Sequence, residues 1–181
     1  MSQEVHSVEI CGLKRDLPLF EVAPQVRIAI FNMLGDAEVV EAIADGLVSR
    51  LPQDMDALMT AEVKSIPLAH ALAVRMKKPY IVARKTRKPY MVGAVSVEVL
   101  SITTGTPQLL WLDGKDLHLV KGKRIVLVDD VISTGSTLQG MRVLMDKIDA
   151  TICIQAAIFT EGDRAQWMHI ISLGHLPLFT E

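Results

Sequence analysis

"RIVLVDDVISTGST", residues 124–137, is the stretch whose reading decides the fold of this chain. A run of apolar β-formers, Ile125 to Val128, meets two adjacent aspartates, Asp129 and Asp130, and a polar turn with one glycine follows. Neighbouring carboxylates repel and resist desolvation, so a buried strand rarely runs into such a pair without a reason. The turn Ser133, Thr134, Gly135, Ser136, Thr137, placed to open a helix, is suited to a phosphate group. Converging backbone N–H groups, the partial positive charge of a helix N-terminus and the hydroxyls all favour an anion. Gly135 allows positive φ and a close backbone approach. No Gly-Lys-Ser/Thr follows, so this is not a Walker loop. The aspartates would then accept hydrogen bonds from hydroxyls beside that phosphate, and a phosphorylated sugar carries both groups.

Outward from this stretch, helices and strands alternate. "GDAEVVEAIADGLVSRLP", from Gly35, has Val40, Ile43, Leu47 and Leu51 at helical spacing, with Asp36 as N-cap and Pro52 as stop. "MDALMTAE" reads as a short strand entering a turn. "SIPLAHALAVRMK" reads as a helix that Ser65 can cap and whose first turn tolerates Pro67. "PYIVARK" is a strand before the basic loop "TRKPYM", and "VSVEVLSITTGTPQLLWLDG" makes two extended arms around a small polar tip. "RIVLVDD" is a strand, "GSTLQGMRVLMDKI" a helix, "ATICIQAAIFTE" a strand, and "HIISLGHLPLF" is extended. This alternation predicts an α/β fold, a mostly parallel sheet covered on both faces. Ligands of such sheets bind beyond the C-terminal strand ends, where the turns after Thr60, Val82 and Val128 fall.

Composition narrows the function. The 181 residues suit a single domain, 1–181, and a net charge of −2 gives no basic excess for nucleic acid. Cys11 and Cys153 have no metal spacing and suit a reducing, cytoplasmic setting. The N-terminus does not read as a secretory signal, and no apolar run approaches the roughly 20 residues that span a bilayer.

"VLVDDVISTGST" resembles the ribose-phosphate signature of type I phosphoribosyltransferases, which join a nitrogenous base to the ribose of phosphoribosyl pyrophosphate (PRPP) and release pyrophosphate, with Mg2+. The resemblance implies that Asp129 and Asp130 hold the ribose hydroxyls and that Ser133, Thr134, Gly135, Ser136 and Thr137 hold the 5-phosphate. "TAEVKSIPLA" (60–69) is similar to the family's pyrophosphate loop; Glu62, Val63, Lys64 and Ser65 occupy it, with serine where the family's run has glycine. "ARKTRKPY" (83–90) is similar to the basic run of adenine enzymes, which assigns Arg84, Lys85 and Lys88 to pyrophosphate, with Arg87 beside them. One such basic residue comes from a neighbouring subunit in the family, so a homodimer is implied. "SVEVLS" (96–101) resembles the start of the catalytic loop, which makes Glu98 the candidate acid for the base nitrogen. "IFNMLGD" (30–36) resembles the stretch that contacts the base in xanthine enzymes, which points to Asn32. The resemblance further implies a small base-covering hood built from about 1–35 and 170–181.

Asp-Asp, rather than the Glu-Asp of common hypoxanthine-guanine enzymes, favours adenine, with xanthine and hypoxanthine/guanine as alternatives. The expectation is a purine salvage enzyme whose magnesium arrives on substrate, with no metal ligand set of its own. A basic run is by default a solvated loop, and Glu98 at an alternating position is by default an outward strand residue. The rival of another class is a catalytically silent regulator that binds PRPP as a signal.

Overall fold

The computed structural model describes residues 4–100 and 107–180. Its centre is a five-stranded parallel sheet of order β10-β9-β8-β4-β5, formed by β4 (Ala57–Ala61), β5 (Tyr80–Ala83), β8 (Arg124–Ile132), β9 (Thr151–Glu161) and β10 (Ile171–Leu176). Strand alternation distributes β8 between two cores. Val126 and Val128 join the helices α1 (Ala37–Val48) and α2 (Ile66–Met76) on one face. Ile125 and Leu127 join α3 (Ser136–Ile148) on the other. All four side chains are fully buried, each contributing roughly 1.5–3 kcal/mol from removal of apolar surface from water.

The expected helices form where the apolar spacing puts them. Asp36 caps α1, its Oδ1 accepting the Val39 N–H at 3.1 Å. The same carboxylate receives Arg15 through Nε at 2.6 Å and Nη2 at 3.0 Å, and Glu38 receives Arg15 at 2.7 Å. Arg15 lies on β2 (Leu13–Ala23), so this fork ties the N-terminal strands to the start of α1. Pro67 sits in the first turn of α2, as the sequence predicts, but Ser65 makes no side-chain cap there.

β1 (Val5–Ile10), β2, β3 (Val26–Ala29) and β11 (Phe179–Thr180) form a separate antiparallel sheet of order β1-β2-β3-β11. This sheet corresponds to the expected hood, with one correction: Ile171–Leu176 is the edge strand of the main sheet, and only Phe179–Thr180 returns to pair with β3. The apolar side chains of β10 have a parallel neighbour in β9 and a core beneath them, which favours the larger sheet.

β6 (Val95–Leu100) and β7 (Pro107–Leu112) form the expected antiparallel pair, and the tip at 101–106 lies outside the described residues. The hairpin packs on α3, where Gly140 permits the contact: a Cβ there would meet Leu110 Cδ1 at 2.6 Å. Arg84 and Trp111 exchange backbone hydrogen bonds of 2.8 and 2.7 Å, which ties the end of β5 to β7. No helix among the described residues is long and apolar enough to cross a membrane.

Candidate active site

The site lies beyond the C-terminal ends of β4 and β8, where an open parallel sheet leaves strand ends facing a crevice. The sequence reading ended β8 at the aspartates, but the strand continues through them to Ile132, still paired with β9 as far as Thr160. That extension is why both carboxylates are buried, Asp129 at 8% and Asp130 at 7% exposure. Asp129 Oδ1 accepts two donors, the Ser65 hydroxyl at 2.8 Å and the Asp130 N–H at 2.9 Å. The Ser65 hydroxyl also lies 3.4 Å from Asp130 Oδ1. Lys64 Nζ stands 3.1 Å from Asp130 Oδ2, close enough to offset its charge but off the axis of a hydrogen bond. Burial, and secondarily the charge of Asp130, pushes the Asp129 carboxyl up to about 7.

The turn after β8 has the predicted form. Gly135 is the N-cap of α3 with φ +75°, and its carbonyl accepts the Gln139 N–H at 2.8 Å. The Thr134 and Ser136 hydroxyls are 2.9 Å apart. A cavity of about 190 Å³ lies over this turn, lined by Asp129 and residues 131–138. The first N–H groups of a helix have no backbone partner within it and favour an anion; here that of Ser136 donates to Thr134 Oγ1 at 3.4 Å. Ser133 differs from its neighbours: its hydroxyl donates to Glu161 Oε1 at 2.5 Å and is committed to holding the turn against β9. Trp167 supports the turn from behind, with Nε1 donating to the Glu161 carbonyl at 2.9 Å and its ring under Gly135.

A second cavity of about 250 Å³ adjoins the first through Asp129, Val131 and Thr137. Residues 61–65, Lys85 and Asp130 complete its walls. The Glu62–Val63 peptide is cis. Glu62 is an organiser of this loop: Oε1 accepts the Lys85 N–H at 2.7 Å, and Oε2 lies 3.3 Å from Arg84 Nε. Val63 is exposed. Lys64 and Lys85 bring positive charge to the cavity, whereas Arg84 is turned toward Glu62 and Lys88 lines neither cavity. Arg87 stacks over Trp111 at 5.7 Å, a cation–π contact. Among the described residues no group of three or more His, Cys, Asp or Glu could hold a metal ion.

The structure therefore brings together Asp129, Asp130, Ser133, Thr134, Gly135, Ser136, Thr137, Glu62, Val63, Lys64, Ser65 and Lys85, with the Ser133 and Glu62 side chains committed to bracing the loops. It does not bring in Glu98 or Asn32. Val97 and Val99 are buried toward α3, which turns Glu98 outward, opposite Leu109 and outside both cavities. Asn32 is exposed and closes a local turn, its Oδ1 accepting the Leu34 N–H at 3.1 Å. Sequence reasoning missed Glu161 and Trp167 as braces of the turn after β8. A glutamate ending a long apolar strand, followed by Gly162 at positive φ, was the available signal for the first. The position of Trp167 beneath Gly135 has no sequence signal.

A model of the phosphoribosyl transferase domain matches residues 31–171. The hypoxanthine/guanine phosphoribosyltransferase of Methanosarcina acetivorans is 37% identical over 142 residues, 78% of this chain and 70% of that protein. The protein of that name from Methanosarcina mazei is 32% identical over 128 residues, 71% of this chain and 64% of its own length. The chain thus spans roughly two thirds of these relatives. Among solved structures, the adenine phosphoribosyltransferase of Thermoanaerobacter pseudethanolicus shares the fold, with a TM-score of 0.66 at 19% identity over 94% of this chain and 95% of that one.

Proposed function

As the chain belongs to the phosphoribosyl transferase domain family, we propose that it transfers the phosphoribosyl group of PRPP to a purine base, giving a nucleoside monophosphate and pyrophosphate. One observation carries this reading: a cavity over a buried aspartate pair and the N-terminus of α3 adjoins a second cavity walled by Lys64 and Lys85. A sugar bearing phosphate at one end and pyrophosphate at the other has that sequence of groups.

In this reading, Gly135, Ser136 and Thr137 hold the 5-phosphate, and Asp129 and Asp130 accept the ribose hydroxyls. Lys64 and Lys85 face the departing pyrophosphate. Fixing both ends of the sugar places its anomeric carbon under the base, an orientation effect worth up to several kcal/mol. The leaving group gains charge as its bond breaks, so preorganised cations lower the barrier without reorganising. The donor set suits a magnesium ion carried by substrate phosphates, since two neighbouring carboxylates make no cage. When bound, magnesium supplies further neutralisation of pyrophosphate charge. The proposal includes a homodimer, with Lys88, outside its own chain's cavities, as the residue that serves the neighbouring subunit.

Both purine classes stand in this proposal. The name of the 37%-identical Methanosarcina relative supports hypoxanthine or guanine, and adenine is supported by the Asp129-Asp130 pair and the basic run at 83–90. The experiment incubates the protein with PRPP, Mg2+ and adenine, hypoxanthine, guanine or xanthine in turn, and follows pyrophosphate. Release that requires one base supports the proposal and names the substrate. Binding of PRPP with no release in any incubation overturns it in favour of a regulator.

A further inference from the structure

The resemblance of the chain to its family placed Ser65 among the pyrophosphate ligands, but its hydroxyl is engaged elsewhere. Ser65 is 2% exposed and stands at the N-cap of α2, where a serine ordinarily accepts a hydrogen bond from the helix's own N–H groups. No such bond forms. Its backbone is already helical, with φ −85° and ψ −2°, and its carbonyl accepts the Ala69 N–H at 3.0 Å. The hydroxyl is directed away from the helix, donating to Asp129 Oδ1 at 2.8 Å and lying 3.4 Å from Asp130 Oδ1.

We propose that Ser65 is a positioning residue for the ribose: it anchors Asp129 Oδ1 and thereby presents the second oxygen, Oδ2, to the sugar hydroxyls. Oδ1 is held from two sides, by Ser65 and by the Asp130 N–H at 2.9 Å, which together fix the plane of the carboxylate. Asp129 lines both cavities, which leaves its second oxygen as the one for the sugar. The hydroxyl bond also favours the charged form of Asp129 against its burial, so it helps to keep the carboxylate an acceptor. Asp130 is held differently. Its Oδ2 is buried with no aligned hydrogen bond, and its counter-charge is Lys64, whose side chain is 46% exposed. A half-exposed lysine holds an ion pair weakly and is free to turn toward pyrophosphate. The two neighbours thus differ: Ser65 is buried against the acid pair, whereas Lys64 is half-exposed at the wall of the second cavity.

This inference rests on the proposed phosphoribosyl chemistry, and its test keeps the two apart. Ribose 5-phosphate and magnesium pyrophosphate are titrated separately, by calorimetry, into the full wild-type chain, Ser65→Ala and Ser65→Thr, with melting temperatures to confirm folding. The expected result for Ser65→Ala is a loss of about tenfold or more in ribose 5-phosphate affinity, the scale of one hydrogen bond to a charged group, with pyrophosphate affinity within twofold of wild type. Ser65→Thr, which keeps the hydroxyl, restores ribose 5-phosphate binding. Loss of pyrophosphate affinity with ribose 5-phosphate unchanged, or equal loss of both, overturns the positioning role. A wild-type chain that binds neither ligand overturns the phosphoribosyl reading itself.

Discussion

Asp129→Asn isolates the energetic consequence of burying the acid pair. The Asp129 carboxyl is raised from 3.8 to about 7, chiefly by burial and then by the charge of Asp130. Because the folded value lies above the unfolded one, the folded chain holds a proton that the unfolded chain has released between those two pH values. The associated stability is fully present below about pH 3.8 and is lost as pH rises through about 7. At about 1.4 kcal/mol per pH unit, the whole interval corresponds to roughly 4 kcal/mol, and the part between pH 5 and 8.5 to about 2–3 kcal/mol. Asparagine is of the same shape, can still accept from Ser65 and the Asp130 N–H through its oxygen, and never ionises. Urea unfolding of wild type and Asp129→Asn at pH 5 and pH 8.5 gives four stabilities; the background titration of the distant carboxylates cancels in the difference, which therefore reports the Asp129–Asp130 pair. The variant is expected to gain about 2–3 kcal/mol relative to wild type between pH 5 and pH 8.5, while losing turnover. A difference that is the same at both pH values would refute the reasoning that desolvation of Asp129 destabilises the free protein.

Gly135→Ala combines a left-handed backbone with a Cβ 2.8 Å from the Trp167 ring. The backbone penalty of about 1–2 kcal/mol and overpacking of about 1–3 kcal/mol predict a melting temperature lower by roughly 5–15 °C; an unchanged melting curve would show that the ring does not confine the turn. Lys85→Ala removes a cation from the wall of the second cavity and is expected to raise the KM for PRPP about tenfold, on the scale of one charge-assisted contact. An unaltered KM would remove Lys85 from the proposed pyrophosphate contacts. Glu98→Gln is expected to leave kcat within about twofold, because Glu98 faces outward from the hairpin. A fall of about 100-fold, the scale of general acid catalysis, would show that the residue reaches the reacting base during turnover.

The parallel sheet, its helices and the glycine turn after β8 were legible in the sequence because each rests on local physics. Apolar spacing in α1 and α3, the Asp36 cap and the need for positive φ at Gly135 are properties of a few adjacent residues. The pairing of the aspartates with the turn was legible for the same reason, since one strand and its following loop contain both. Local rules also misled. The N-cap rule assigned the Ser65 hydroxyl to its own helix, and a carboxylate pair sixty-four residues away in the chain competes for it at 2.8 Å. Strand alternation made Glu98 polar and outward, as it is, and only the packing of Val97 and Val99 on α3 shows that this direction leads away from the cavities. The placement of Ile171–Leu176 beside β9, the Arg15 fork on Asp36, and Glu161 and Trp167 behind the turn are all contacts between segments distant in sequence. By itself, then, the sequence determined the strand, the adjacent carboxylates and the glycine turn that follows them, because short-range sterics and charge are written in neighbouring residues. The tertiary structure alone decided which of those groups face one cavity and which are engaged elsewhere, because burial and hydrogen-bond competition depend on partners that only folding brings together.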